Sequence, residues 1–483
     1  MSSDVVVPNL FSGLGPSVAA AVAVVVVTIV IAGKIFRRDG ENGQPYPPLA
    51  PASMLDTMNK MQGSDLPWFY LQMATTLGNK YTYRLKLPLR QMFVVTGDPN
   101  FARDVLLDPK STKPDLYRQF EADGIGNIFT RNGEFWHARR KGTAPAFSSS
   151  HIKRMNSVAI EIAELWIKNT LLPVMKEGKP FDVAKEMINI TLDSICKTAF
   201  EYDPTEEEKE QFLKCEELVT TEYISRSLSN PFRQYLGPLL PKRREAMQAA
   251  KKNLALAKRI IANYRAMKNP TKGTIVDLIA NNKCYATLDE MAVDLIIYLV
   301  AGHDTTGYTL AFTLLELARH PEEQKKIRDD LAKRTPDDWS NSKVVQMAIK
   351  ESMRLYPVSA GGSLRQLGRD FETDDGFVVP RNSNVVAAMI LLHRNPTVFE
   401  DADKFIPSRW ENPTKEMKDA FLIFSAGKQN CIGQALANAE LQCIIPMILS
   451  QVELEVVEEG SVDCFLTMKP TGAWLKAKPL NGN

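Results

Sequence analysis

The chain has 483 residues, with 59 basic and 57 acidic side chains for a formal net charge of +2. So even a balance gives no reason to expect nucleic acid or an acidic polymer as partner. Six scattered cysteines (Cys196, Cys215, Cys284, Cys431, Cys443, Cys464) form no C-x-x-C pair, and the five histidines form no H-E-x-x-H. That argues against a disulfide framework and against structural zinc, and leaves most of the cysteines as small apolar residues.

In chain order, the first feature is an uncharged stretch from Val5 to Gly33, within which residues 18–33 (VAAAVAVVVVTIVIAG) are apolar apart from one threonine and the final glycine. It is long enough to cross a bilayer, which takes ~20 residues. The only earlier charge is Asp4, and the run ends in Lys34, Arg37 and Arg38. A cleavable signal would have the opposite charge order and a small-residue cleavage site. A plastid transit peptide fits poorly, because arginine and serine are sparse before the run. Residues 1–38 are therefore expected to be a single-pass anchor whose basic flank stays cytoplasmic; the alternative is a buried core helix. Residues 39–51, with prolines at 45, 47, 48 and 51, are expected to form a stiff linker. The body, 52–483, contains no later break or repeat. It reads as one domain, although the usual ~150 residues per domain would suggest three.

Strand-like pieces in the body are short: 80–87, 92–97, 377–380, 384–389 and 452–457. The charge runs at 204–211 and 322–334 read as solvated helix faces. The clearest element is a helix from Thr287 to His320, opened by the capping box TLDE and stopped by Pro321. At ~1.5 Å per residue it is about 50 Å long, and its apolar middle makes it a central buried helix. The expected fold class is mainly α with a small β lobe.

Inside that helix, AGHDTT (301–306) places an acid and alcohols where core residues belong. One reading is a kinked helix with threonines bonded to carbonyls one turn earlier. The other is a local bulge that makes room for a ligand, with Asp304 and Thr305 placed to pass protons. KESMRLYP puts Glu351 and Arg354 on one helical face, alone an ordinary surface ion pair, and FIPSRW holds Arg409. GEFWHARR puts Trp136 and Arg140 at i, i+4, where they could hold a carboxylate or phosphate, although a surface stack of arginine on tryptophan is the commoner outcome. FSAGKQNCIG (424–433) holds Cys431 between Gly427 and Gly433 where a new helix opens, a position that lowers a thiol pKa. A nucleophile and a metal ligand are both open at that point. A nucleophile would need a base, and His393 could approach only through the fold.

The order W-x-x-x-R, A-G-x-D-T-T, E-x-x-R, F-x-P-x-R-W, F-x-x-G-x-x-x-C-x-G resembles the cytochrome P450 superfamily over essentially the whole body. The resemblance implies one haem-thiolate monooxygenase domain holding haem b, with Cys431 as axial ligand and Gly427 and Gly433 shaping its loop. It implies that Asp304 and Thr305 deliver protons for O2 activation, and that the helix bulges over the haem at Ala301 and Gly302. Glu351, Arg354 and Arg409 match a buried triad that braces the cysteine loop. Trp136 and Arg140 match donors to a haem propionate, and Arg365 a further one at a family offset that varies by a residue. Gln429 stands where the family usually has arginine or histidine, which implies weaker propionate anchoring, and Lys428 offers a second cation. AGHDTT and FSAGKQNCIGQ look like the branch that includes fatty-acid ω-hydroxylases and carotenoid hydroxylases. Ala301 replaces the glutamate that many ω-hydroxylases bond to haem, so the haem here is expected to be extractable.

The resemblance further implies an endoplasmic reticulum membrane enzyme with its catalytic domain on the cytosolic side. Its expected partners are membrane lipid, an apolar small molecule (fatty acid, sterol or terpenoid) and NADPH-cytochrome P450 reductase, since the chain has no flavin or nicotinamide motif. Two alternatives stay open: an electron-independent isomerase or dehydratase of the same fold, and a haem sensor without turnover.

Overall fold

The computed structural model describes residues 45–87, 91–121, 124–226 and 239–480. The apolar run at 18–33 and its basic flank lie outside them. No helix among the described residues is long and apolar enough to cross a membrane.

The longer helices are α1 (Met54–Gln62), α2 (Leu66–Thr76), α3 (Pro99–Leu107), α4 (Gly133–Thr143), α5 (Ser149–Trp166), α6 (Val183–Phe200) and α7 (Glu206–Thr220). After them come α8 (Pro241–Ala266), α9 (Ile275–Ala280), α10 (Leu288–Arg319), α11 (Pro321–Leu331), α12 (Lys343–Leu355) and α13 (Gln434–Leu449). Several start as their sequences require. Ser53, Thr205, Thr287 and Ser342 each accept a backbone N–H of the first turn with the side chain, satisfying a donor that has no partner within the helix. At α7 the cap is reciprocal, with Glu208 returning a bond to the Thr205 N–H. At α10 only half of the expected box forms. Thr287 accepts from Glu290 N at 3.2 Å, but the Glu290 carboxylate takes the Ala286 N–H at 3.1 Å and the Arg139 guanidinium at 2.8 Å. A charged donor is the stronger partner for a carboxylate.

α10 crosses the body as expected, and two core clusters divide its length. Its first half, around Leu295 and Leu299, packs with α6, α8 and α9 through Ile195, Ile260 and Ile279. Its second half, around Leu310, Leu314 and Leu317, packs with α11, α12 and α13 through Ile327, Ile349 and Ile444. His320 leaves helical geometry at the end of α10, and Pro321 opens α11 directly after it.

The sheets are small. One has strand order β1 (Thr82–Leu85), β2 (Phe93–Thr96), β7 (Asn384–Ala387), β4 (Ser363–Gln366), with β2 and β7 parallel and the other pairs antiparallel. β5 (Phe371–Glu372) pairs with β6 (Val378–Val379), β9 (Ser461–Cys464) with β10 (Met468–Thr471), and β11 (Trp474–Pro479) lies between β3 (Pro180–Asp182) and β8 (Val452–Glu458). The apolar strands fall where the sequence places them. β3, β4, β5, β9, β10 and β11 were not expected, because pieces such as SLRQ and MKPT carry polar or proline residues without a clear alternation.

The domain also begins earlier than residue 52. Arg84 N donates to Pro48 O and Ala50 N to Arg84 O, both at 2.8 Å, while Val378 N donates to Pro45 O at 2.8 Å. Residues 45–51 are thus the first layer of the sheet lobe and not a free linker, since prolines keep their carbonyls as acceptors. The charge runs are solvated helix faces with two exceptions. Lys209 is buried between Asp193 and Glu206, and Gln324 is buried with its amide donating to Leu317 O and Leu454 O.

Candidate functional site

The cysteine loop is shaped by two left-handed residues, Ser425 (φ 60°) and Gly427 (φ 73°). A Cβ on Gly427 would lie 2.5 Å from Leu106 O, so the loop can pass α3 only with glycine there. Asn430 N donates to Gly427 O at 3.2 Å and Cys431 N to Phe424 O at 2.9 Å, closing the loop one step before α13. The N–H groups of Gly433 and Gln434 then point at Cys431 Sγ. Burial pushes this thiol's pKa up, while those two N–H groups and the Arg140 charge pull it down. Cys431 is nonetheless exposed, unlike the other five cysteines. Its neighbouring cation is Arg140. His393, the base that could have approached, is fully buried against Phe421, and burial with Arg354 beside it holds its pKa down at about 3.

Beside the loop stand three cations from separate elements. Arg140 on α4 donates to Asn430 Oδ1 at 3.1 Å. Arg365 on β4 is buried, and Tyr117 bonds its guanidinium. The third is Lys113, which motif reading missed. Its ammonium donates to Ile128 O at 3.1 Å and lies 5.9 Å from the centre of the Trp136 ring. Burial first, then the Arg365 and Arg140 charges, pull its pKa down to about 7. The acid that acts on it, Asp294, is fully buried, 3.3 Å from Arg139, and accepts from Tyr285 and from Ile128 N. The Arg139–Asp294 pair ties α4 to α10 and so sets where Trp136 and Arg140 stand.

Gln429 does not join this cation group. Its Nε2 donates to Asn132 Oδ1 at 3.2 Å, and its Oε1 is buried without a partner. Lys428 points outward and is exposed. Asn132 joins Gln429 to the Lys113 position: its Oδ1 also accepts from Lys113 N at 3.1 Å and its Nδ2 donates to Lys113 O at 2.8 Å.

Behind the loop, Glu351 and Arg354 on α12 are completely buried and doubly bonded, at 2.9 and 2.8 Å. Arg409 Nε and Trp410 Nε1 each donate to Glu351 at 2.9 Å, and Ile406 N at 3.0 Å. Arg354 also donates to the carbonyls of His393, Ala402 and Lys404. Trp410 and His393 both pack on Phe421, the residue that leads into the cysteine loop.

α10 departs from expectation at Ala301–Gly302. The helix is continuous there, without a bulge. Thr305, Thr309 and Thr313 each donate to the carbonyl four residues earlier, so the hydroxyls are satisfied without breaking the ladder. Gly302 gives its room to α6, since a Cβ would lie 2.8 Å from Ile195. Ala301 is exposed and Thr305 partly so, in a helix whose surroundings are buried. Asp304 leaves the helix on another side. It is buried, accepts from Thr467 Oγ1 at 2.5 Å, and has its pKa raised by burial and by Glu216 against the opposing pull of His303. It lines a cavity of about 1180 Å³ with Glu216, Tyr308, Thr467 and Lys469, on which neither Cys431 nor Thr305 opens.

Residues 47–481 match the family model described as Cytochrome P450. The chain belongs to the cytochrome P450 family. Cytochrome P450 4d8 of Drosophila melanogaster is 25% identical over 414 residues, covering 75% of this chain and 86% of that one. Human cytochrome P450 4F12 is 27% identical over 441 residues, covering 80% and 81%. A crystal structure of the cytochrome P450DA heme domain superposes with a TM-score of 0.74 at 21% identity, over 91% of this chain and 98% of that chain, and shows the same fold. The fold is a single P450 domain, mostly helical with small sheets, and the enzyme class is that of a cytochrome P450 monooxygenase. The residues fit the family's haem: a thiol with two N–H groups aimed at its sulfur, three cations without free carboxylates among them, and an orphaned buried amide oxygen on Gln429 at their edge.

Proposed function

We propose that this P450 binds haem b through the Cys431 thiolate and inserts one atom of O2 into an apolar small molecule at the cytosolic face of the endoplasmic reticulum. Electrons come from a separate NADPH-linked flavoprotein reductase. The observation that carries this reading is the convergence of Cys431, with N–H groups of Gly433 and Gln434 on its sulfur, and the cations Arg140, Arg365 and Lys113, held by Asn430, Tyr117 and Ile128 O and by no ion pair among the described residues. Bound haem supplies the activation of O2.

The chain's own residues do the rest. The two N–H groups and the adjacent helix end hold negative charge on Cys431. Lys113, Arg140 and Arg365 neutralise the propionates, with the Trp136 indole beside them. The Glu351–Arg354–Arg409 group, a positioning set, keeps Phe421 and hence the loop in place. Thr305, whose hydroxyl rests on Ala301 O, presents a proton on the exposed side of α10, and Asp304 connects the opposite side to the polar cavity. Ala301 keeps the exposed side apolar and cannot bond covalently to haem, which suits a fatty acid, sterol or terpenoid substrate.

The test mixes dithionite-reduced protein with CO, then assays product with and without NADPH and reductase over fatty acids, sterols and carotenoids. A thiolate-type Soret band in the parent, absent in Cys431→Ser, with NADPH-dependent product, is the expected result. Absence of the band in the parent overturns the haem reading. Peroxide turnover without electrons replaces monooxygenation by isomerase or dehydratase chemistry.

A further inference from the structure

Away from the cysteine loop, one cluster of possible metal ligands is unused by any step above. His303 of α10 is fully buried, and its Nε2 has no hydrogen-bond partner. Nδ1 lies 2.8 Å from Leu299 O and donates to it, so Nε2 is the nitrogen left to face Glu216. Nε2 lies 3.3 Å from Glu216 Oε2 on α7. Ligand atoms of Glu216, His303 and Asp304 all lie within 4.8 Å of one another.

We infer that Glu216, His303 and Asp304 form a site for a divalent transition metal, zinc being the probe of choice. One imidazole nitrogen and two carboxylates are the donor set such ions take at about 2.0–2.2 Å, which puts the ligand atoms of a tetrahedral site about 3.3–3.6 Å apart. His303 and Glu216 already stand at that spacing, and the carboxylates must rotate inward to bring the whole set from within 4.8 Å to it.

Each ligand is supported from behind, as metal ligands usually are. Leu299 O holds the imidazole, and Thr467 holds one oxygen of Asp304. The Phe212 ring packs edge-on against His303 at 5.7 Å and closes the apolar side. Access is provided by the cavity of about 1180 Å³, which Glu216 and Asp304 line. The alternative is a plain ion pair between protonated His303 and Glu216. Burial opposes that charge, but Glu216, Asp304 and Leu299 O outweigh it and raise the pKa to about 9. A metal therefore displaces one proton from Nε2 to solvent. Burial and Glu216 hold the Asp304 pKa up at about 7 against the pull of His303, Thr467 and Lys469, so a +2 ion would match the two carboxylates by releasing the Asp304 proton as well.

The site also carries a control on turnover, and this part rests on the monooxygenase reading: an ion that takes Asp304 removes it from proton delivery. The experiment uses full-length haem protein, stripped with chelator, equilibrated with micromolar zinc chloride and passed through gel filtration. Zinc per chain is then measured for the parent, Glu216→Gln and His303→Gln, each checked for the CO band. The parent is expected to retain one more zinc per chain than either variant, and its turnover to fall at least tenfold with zinc while that of Glu216→Gln does not respond. Equal zinc in the parent and both variants overturns the site. Extra zinc bound by the parent without any CO band leaves the site standing and overturns the haem reading alone.

Discussion

Lys113 holds its charge under pressure from burial and from two guanidinium neighbours, so that its pKa has come down to about 7. Because the folded value lies below the unfolded one, the free domain loses that charge as pH rises past 7. An anion bound beside Lys113 restores the charge and raises the pKa again. Between the two values, binding takes up a proton, so affinity for haem propionates is flat below pH 7 and falls up to tenfold per pH unit above it. Transfer of haem to an acceptor protein should therefore be faster at pH 9 than at pH 7. Lys113→Met should speed it about 10- to 100-fold at pH 7, the worth of one charged hydrogen bond of ~1.5–3 kcal/mol, and abolish the pH dependence. A variant as slow as the parent would show that Arg140 and Arg365 suffice. At Thr305, removal of the hydroxyl should leave the fold intact, since among the described residues the hydroxyl bonds only to its own helix at Ala301 O. Thr305→Ala is expected to lower product by about one to two orders of magnitude while NADPH oxidation continues into peroxide or water. Full coupling in that variant would end its assignment as proton donor. These residues also show what a sequence carries. Cys431, Trp136, Arg140 and the Glu351–Arg354 pair stand at fixed local spacings and are legible. Lys113 is not, because its environment is made by Arg140 on another element and by Arg365, about 250 positions further along the chain. Gly302 reads as room for a ligand, and only the packing of α6 reveals that Ile195 uses that room.

Elements explain the rest of the site's rigidity. α12 is anchored through Glu351, whose two oxygens receive five donors from Arg354, Arg409, Trp410 and Ile406 N. α13 has a looser arrangement. Glu440 is buried against α6 with one described bond, from Ser194 Oγ at 2.6 Å, and burial raises its pKa from 4.5 to about 7. The sign follows from linkage. A carboxyl whose folded pKa is raised favours folding only while protonated, so stability falls as pH rises from 4.5 and the loss is complete above about 7. The loss amounts to about 3 kcal/mol. Glu440→Gln keeps the shape and cannot ionise. It should raise the melting temperature at pH 8 and have little effect at pH 4.5. An equal shift at both pH values would mean that packing, and not ionisation, sets the cost. The two helices also differ in legibility. The α12 pattern is local, an i, i+3 pair before a proline, whereas Glu440 of α13 carries no local signal and its burial is set by α6 packing on it.

At the scale of the whole molecule, the body is one domain from residue 45 onward, tied together early because the chain before α1 already bonds to β1 and β6. Residues 1–38 carry the apolar run and its basic flank, 39–44 are polar, and among the described residues those bonds begin at Pro45, which determines which truncation is informative. Deleting 1–38 leaves every hydrogen bond described above in place. If that segment is the membrane anchor, the deletion should move the protein from carbonate-washed membranes to the soluble fraction, with the CO band and the thermal midpoint unchanged. Turnover supported by a membrane-bound reductase should drop several-fold, while turnover driven by added peroxide should not, because only the electron donor's encounter with the domain has been altered. A truncated protein that stays with washed membranes would place the attachment on the body itself. Deletion through residue 51 should by contrast destabilise the domain, since it removes the carbonyls that receive Arg84 N and Val378 N and exposes the apolar surface that Ala50 covers. The comparison of the two truncations separates anchoring from folding.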